Sequence, residues 1–450
     1  MKRKFLAAAA RAGLTTVLLA CSAIAHCEED AFAKWAAAHA LPLTTVESVD
    51  DDSDLLPLKP AIGAAHLVAL GEPRHGAHEP LAFRNRLFRF LVERMGFTAI
   101  ALESGFTDTI NARSFIEGGE GDVETAARTG LPGQDRYPET RELLRWMRDY
   151  NSTAASRGRR KLHLYGIDMT SGGRLSGPRR TIDSALTYLS RADPATAQKI
   201  RDSLSDELPA ADSRELGSLS AAAQSNFEST IEAIAKAMQQ GRKTFIARSS
   251  EEDYRWAVHN LDVARQLAKC LPITPPVGAD MNLWARAGDC RDHAMAENVQ
   301  WALKNEGRKG RLFIFAHGGH VLAAKGDGRR MAKVLEKPSM MGLHLRRAYG
   351  DDLYIMLMAC ATTSGGLLPA KPLEEGSIEG TLAGVGLPLF FLDVRTARQN
   401  KDTLKWLSTV RSVMANVDTL GLITLETAAD AFVFVNTLTP AIPPPDKAPQ

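Results

Sequence analysis

The sequence predicts an α/β fold: a mostly parallel central sheet flanked by helices, a three-layer α/β/α sandwich carrying an inserted helical lobe. Three observations predict it. Short apolar runs alternate with stretches of helical periodicity. Those runs end repeatedly on an acid or a histidine. Between residues 171 and 269 the apolar runs stop, and Ala, Ser, Asp, Glu, Arg and Gln dominate.

The elements follow in order. Lys2, Arg3 and Lys4 form a basic start, Ala12 to Ala20 a short apolar stretch, and residues 23–25 read "AIA". This is the pattern of an export leader removed after Ala25, too short and interrupted for a membrane span. The expected location is therefore periplasmic or secreted. The alternative is lipid attachment at Cys21, read from "LLAC". The first strand is "HLVALGE" (66–72). A helix follows, with Pro80 near its first turn and Leu81, Arg84, Phe88, Leu91 and Met95 at helical spacing, ending at Gly96. "FTAIALES" (97–104), "KLHLYGIDM" (161–169), "GRLFIFAHGGHV" (310–321), "DDLYIMLMA" (351–359) and "DAFVFVN" (430–436) complete six expected strands. The core is thus expected at 26–170 and 270–440. The lobe at 171–269 is expected to shape a substrate pocket while adding little to that core. The Pro-rich end, 441–450, is expected to be disordered.

With 450 residues, 44% hydrophobic, the chain can bury a large core; its net charge of +2 gives no field for nucleic acid. The Arg clusters at 157–160 and 174–180 read as solvated basic loops. Cys270 and Cys290 flank a Pro-rich loop and could bridge in an exported protein, while Cys360 reads as a buried small hydrophobe.

Function is written at the strand ends. Glu72 closes the first strand, Glu103 the second and Asp168 the third, and His317 and His320 leave the fourth. Ligands of parallel α/β sheets bind outside those carboxyl ends, so these groups converge on one crevice. His75 has the residue type of a base near neutral pH, with Glu72 three residues before it to orient the ring. Arg84 shares a helix face with Leu81, Phe88 and Leu91, which turns it inward and demands an anionic partner; Glu103 is the expected one. His317 and His320, in "HGGH", can donate to a developing oxyanion. Arg74, Asp168 and Arg291 are expected to bind substrate. His78 reads as a surface imidazole. The chain has no G-x-S-x-G, HExxH, P-loop or strand-linked GxGxxG motif, which points to water activated by histidine and to no bound metal or cofactor.

The stretch "LGEPRHGAHEPLAFRNRLFRFLVERMGFTAIALES", with "YGIDM" (165–169), "RDHAMAENVQWAL" (291–303) and "FAHGGHV" (315–321), resembles the erythromycin esterase family from about residue 66 to 440. The resemblance implies a hydrolase of ester or lactone bonds acting on a small-molecule ester or macrolactone. It assigns water activation without metal to Glu72 and His75. Arg84 matches the family's helix arginine, Glu103 its second glutamate, and His317 and His320 its two late histidines. Pro73-Arg74 departs from the small or hydroxylated residue usual before that histidine. Macrolide-inactivating members protect a cytosolic target, so an exported chain points away from erythromycin itself. The other readings are a metal- or haem-binding periplasmic protein of related fold, and a metal-dependent hydrolase.

Overall fold

A computed structural model describes residues 31–170, 177–208, 219–273, 280–326, 337–367, 372–416 and 419–442. The expected leader with Cys21, part of the second Arg cluster and residues 443–450 lie outside them. The strands are β1 (Leu41–Pro42), β2 (Leu67–Glu72), β3 (Ala99–Gly105), β4 (His163–Asp168), β5 (Leu312–His317), β6 (Leu353–Thr363), β7 (Leu389–Asp393), β8 (Arg411–Asn416), β9 (Thr419–Ile423) and β10 (Ala431–Leu438). Eight form one sheet in the order β1-β7-β10-β6-β2-β5-β3-β4, and β8 and β9 form a separate antiparallel hairpin. The six expected strands are its parallel part, β10 to β4. The edge pair β7 and β1, joined by antiparallel ladders, was not expected from the sequence.

Alternation along the strands splits the core in two. Leu67, Ala69, Ala99, Ala101, Leu312 and Ile314 face one apolar cluster. Val68, Leu70, Ile100, Leu102, Phe313 and Phe315 face the other. Both faces are covered, so β2 reads as an unbroken buried run. The helix His78–Met95 covers the second face, contributing Leu81, Phe88 and Leu91 and stopping at Gly96 in the left-handed region at φ 72°. The helix Met281–Glu306 covers the first face with Ala294, Met295 and Val299. After β2 the chain proceeds toward β3 on one side, and after β5 it crosses to β6 on the other. Glu72 and His317 are register partners at this switch point, where α/β sheets open a crevice.

The described residues between 178 and 270 are mainly helical, as expected: Pro178–Ser190, Pro194–Asp202, Ala221–Gln240, Arg242–Arg248 and Glu251–Cys270. The expectation that they add little to the core is overturned. Trp256 stacks on Tyr165 at 5.2 Å and on Phe106 at 5.0 Å, and His259 stacks on Trp301 at 4.1 Å. Ile182, Ile231, Leu261 and Val263 join the same apolar cluster as the sheet face, so removing these helices would uncover it. Cys270 and Cys290 are disulfide-bonded, tying the last of these helices to the helix that bears Arg291. Cys360 is buried and free. The chain end starts ordered: the Ala441 N–H donates to the Gly76 carbonyl at 3.0 Å. No described helix is long and apolar enough to cross a membrane.

Candidate active site

At the carboxyl ends of β2, β3, β4 and β5 lies a cleft of about 850 Å³, lined by Glu72, His75, Glu103, Asp168, Arg291, Gln134 and Tyr137 among others. The backbone packs tightly beneath it. A Cβ on Gly71 would lie 2.8 Å from the Gly318 Cα, so β2 and the "HGGH" turn approach this closely only as glycines. Gly76 has φ 77°, and a side chain there would meet the Tyr137 hydroxyl at 2.7 Å.

His75 Nδ1 lies 2.6 Å from the Glu72 Oε1, and the Glu72 side chain is buried while the imidazole is 59% exposed. Burial opposes a proton on His75, but the charge and hydrogen bond of Glu72, with Glu103 behind them, raise its pKa above 6.5. A carboxylate on Nδ1 leaves Nε2 as the basic nitrogen. The His317 ring centroid is 5.0 Å from that of His75. His317 Nδ1 accepts the Gly319 N–H at 3.2 Å, which puts its own proton on Nε2, a buried atom with no protein partner among the described residues. Burial, then repulsion from His75, pushes the His317 pKa down to about 3, so the ring is a neutral donor.

Glu103 does not meet Arg84. It shares strand parity with Ala99 and Ala101, so its side chain belongs to the face covered by Met281–Glu306, whereas Arg84 sits on the helix over the opposite face. Its Oε1 accepts from Arg291 Nη2 at 2.9 Å and its Oε2 from the His317 backbone N–H at 2.8 Å. Burial alone would raise its pKa; His320, Arg291 and His75 together hold it well below the usual carboxylate range. Arg84 is fully buried, with Nε donating to Asn85 Oδ1 at 3.0 Å and its guanidinium 5.2 Å over the Phe315 ring. Burial lowers its pKa to about 10, opposed first by Glu72 and then by Glu139. Nη1 and Nη2 of Arg84 have no hydrogen-bond partner among the described residues, and Glu72 offsets the burial only through its charge.

Two further expectations change. His320, expected as an oxyanion donor, has both ring nitrogens engaged: Nδ1 with Asp292 at 2.8 Å, and Nε2 with Arg291 at 2.8 Å and Glu103 at 3.3 Å. A neutral ring would accept from Arg291. In that form its Nδ1–H donates to Asp292, and the charge of Asp292, then that of Glu103, raises the His320 pKa to about 10 against burial and the Arg291 charge. Arg291 and Asp168, expected to bind substrate, line the cleft but are spent on each other, with Nε and Nη2 of Arg291 reaching the Asp168 Oδ2 at 2.9 and 2.7 Å. They build the floor. Arg74 is partly exposed in the turn after β2 and is not among the residues lining the cleft.

The sequence reading missed Asp292 and Glu139. Asp292 is buried beside Arg291 and holds both His320 and the Met341 N–H. Glu139 joins His78, which is no free surface imidazole: Nδ1 lies 2.5 Å from Glu139 and Nε2 2.6 Å from Glu47. The Glu139 hydrogen bond is the main cause of a His78 pKa raised to about 9. A raised folded-state pKa stabilises below the unfolded value of 6.5 and loses that contribution as pH rises through about 9. The melting temperature of wild type should therefore exceed that of His78→Gln below pH 6.5, with the gap closing by about pH 9. A gap independent of pH would refute the charged bridge.

A family model described as erythromycin esterase matches residues 92–438, a span that includes Glu103, Asp168, Arg291, His317 and His320 but starts after Glu72, His75 and Arg84. The erythromycin esterase type II of Escherichia coli is 24% identical over 410 residues, 83% of this chain and 91% of that protein. A Bacillus cereus protein of known crystal structure superposes with a TM-score of 0.76 at 24% identity, over 92% of this chain and 98% of its own. An erythromycin esterase mutant solved in its open conformation gives 0.64 at 18% identity, over 86% and 94%. These superpositions establish the shared fold.

Proposed function

Because the chain belongs to the erythromycin esterase family, we propose that it is a hydrolase of ester or lactone bonds in which His75 activates water without a metal. The observation that carries this reading is the Glu72–His75 pair at 2.6 Å, opening on the cleft beside a neutral His317. His75 Nε2 takes a proton from water, and the resulting hydroxide attacks the carbonyl carbon. Glu72 stabilises the imidazolium. The Nε2–H of His317 donates to the oxyanion, and its neutrality leaves it a hydrogen-bond donor that carries no proton to give away. The tetrahedral species collapses, and the leaving alkoxide takes the proton from His75, giving acid and alcohol. Glu103, fixed by Arg291, steadies His317 through its backbone N–H. The substrate class is an ester or macrolactone. The Cys270–Cys290 bond supports an oxidising, periplasmic or extracellular setting.

Hydrolysis of a panel of esters and macrolactones tests the activity. In ¹⁸O-water the label should enter the acid on the first turnover, which excludes attack by an enzyme carboxylate, and no acyl-enzyme should accumulate. Turnover that is lost on chelation and restored by zinc or manganese would overturn the mechanism. The base must be unprotonated, so kcat/KM should rise with pH through a midpoint above 6.5, the direction in which Glu72 moves His75. Glu72→Gln should shift that midpoint to lower pH and lower the plateau. An unmoved midpoint would assign the titration to another group.

A further inference from the structure

The amino end of β4, opposite the cleft, carries a second set of chemically competent side chains. Glu117, His163 and Glu252 place one ligand atom each within 4.8 Å of one another. They come from three separate places: the end of the helix Ile110–Ile116, the first residue of β4, and the first turn of the helix Glu251–Cys270. We propose that they bind a divalent transition metal, zinc by ligand type, which fastens the 251–270 helix to the sheet.

The argument rests on what stands behind the imidazole. His163 Nδ1 lies 2.6 Å from the Oε1 of Glu306, whose side chain is fully buried. Glu306 is fixed in turn by the Tyr165 hydroxyl at 2.6 Å and the Thr98 hydroxyl at 2.5 Å. A carboxylate on the far ring nitrogen is the usual support of a metal-bound histidine, setting tautomer and direction and leaving Nε2 for the metal. Arg113 donates to Glu117 Oε1 at 2.7 Å and to Glu252 Oε1 at 2.8 Å while stacking on Trp256 at 4.0 Å. It holds both carboxylates in place and occupies one oxygen of each. Three carboxylates (Glu117, Glu252 and Glu306) face two guanidiniums, Arg113 and the more distant Arg160 at 3.6 Å from Glu306, so the third positive charge comes from a proton on His163 or from a bound cation. Tetrahedral zinc at about 2.0–2.2 Å from each ligand needs ligand atoms roughly 3.4 Å apart. Small rotations of the partly exposed Glu117 and Glu252 supply that closure. Imidazole with carboxylates suits zinc better than calcium or magnesium, which prefer oxygen alone. The site stands about 16 Å from Asp168 along β4, at 3.3 Å per residue, so it is separate from the cleft.

Zinc chloride titrated into the metal-stripped full chain should bind at one ion per chain and raise the melting temperature. Glu252→Ala, at a half-exposed position, should fold with an unchanged metal-free melting temperature. It should bind zinc at least 100-fold more weakly and lose the thermal shift, and His163→Gln should do the same. His75→Asn should bind like wild type. The proposal is overturned by no saturable zinc, by equal binding in Glu252→Ala, or by loss of binding in His75→Asn, which would assign the ion to the cleft.

Discussion

His75→Asn is expected to cut kcat by roughly 10²–10⁴-fold, the range for loss of a positioned general base. Asn keeps a hydrogen-bonding group next to Glu72 but cannot accept a proton from water near neutral pH. The imidazole is 59% exposed, so its loss creates no cavity and the melting temperature should stay within a few degrees of wild type. Steady-state kinetics alongside thermal denaturation separate the two effects. A variant that keeps a tenth or more of wild-type kcat would remove His75 from the mechanism. One that loses activity and melting temperature together would make it structural.

Arg291→Met should be the most destabilising single change near the cleft. It strips the counter-charge from Glu103 and Asp168 at once, and both are buried or nearly so. Removing one partner of a buried ion pair costs about 3–5 kcal/mol because the other charge is left uncompensated. Urea denaturation should register that loss. Activity should fall as well, because Glu103 would no longer be fixed against the His317 N–H. Arg291→Lys should recover part of the stability and little of the geometry, since an ammonium cannot span Asp168, Glu103 and His320 as the guanidinium fork does. A Met variant as stable as wild type would show that the arginine's charge is not what holds Glu103 and Asp168 in place.

The parallel strands and the convergence of Glu72, Glu103, Asp168 and the two late histidines were readable because strand ends and residue types are local facts. Partnership was not. Arg84 pairs with Glu103 in the sequence reading because both are expected at the same strand ends, whereas the structure puts Glu72 on the face of Arg84 and Glu103 on the other. The faces are told apart only by register and packing, because both strands are buried on both sides and their sequences show no alternation. His320 and Arg291 read as ligand-facing because the groups that occupy them are distant in the chain, Asp292 for the histidine and Asp168 with Glu103 for the arginine. His78 read as free because Glu47 and Glu139 lie 31 and 61 residues away in the chain. The edge strand β1 was missed for another reason: it spans two residues, too short for any alternation to register.

The bond between Cys270 and Cys290 has a consequence for anyone making this protein. It closes a separation of 20 residues and ends one residue before Arg291. Cross-linking a loop of that size contributes about 3 kcal/mol through restriction of the unfolded chain. A batch produced in a reducing cytosol would lack that contribution beside the floor of the cleft, while an oxidised batch would have it. The two preparations would share a sequence and a mass differing by two hydrogens, yet differ in shelf life and in apparent turnover. Thiol titration before any kinetic comparison would tell them apart.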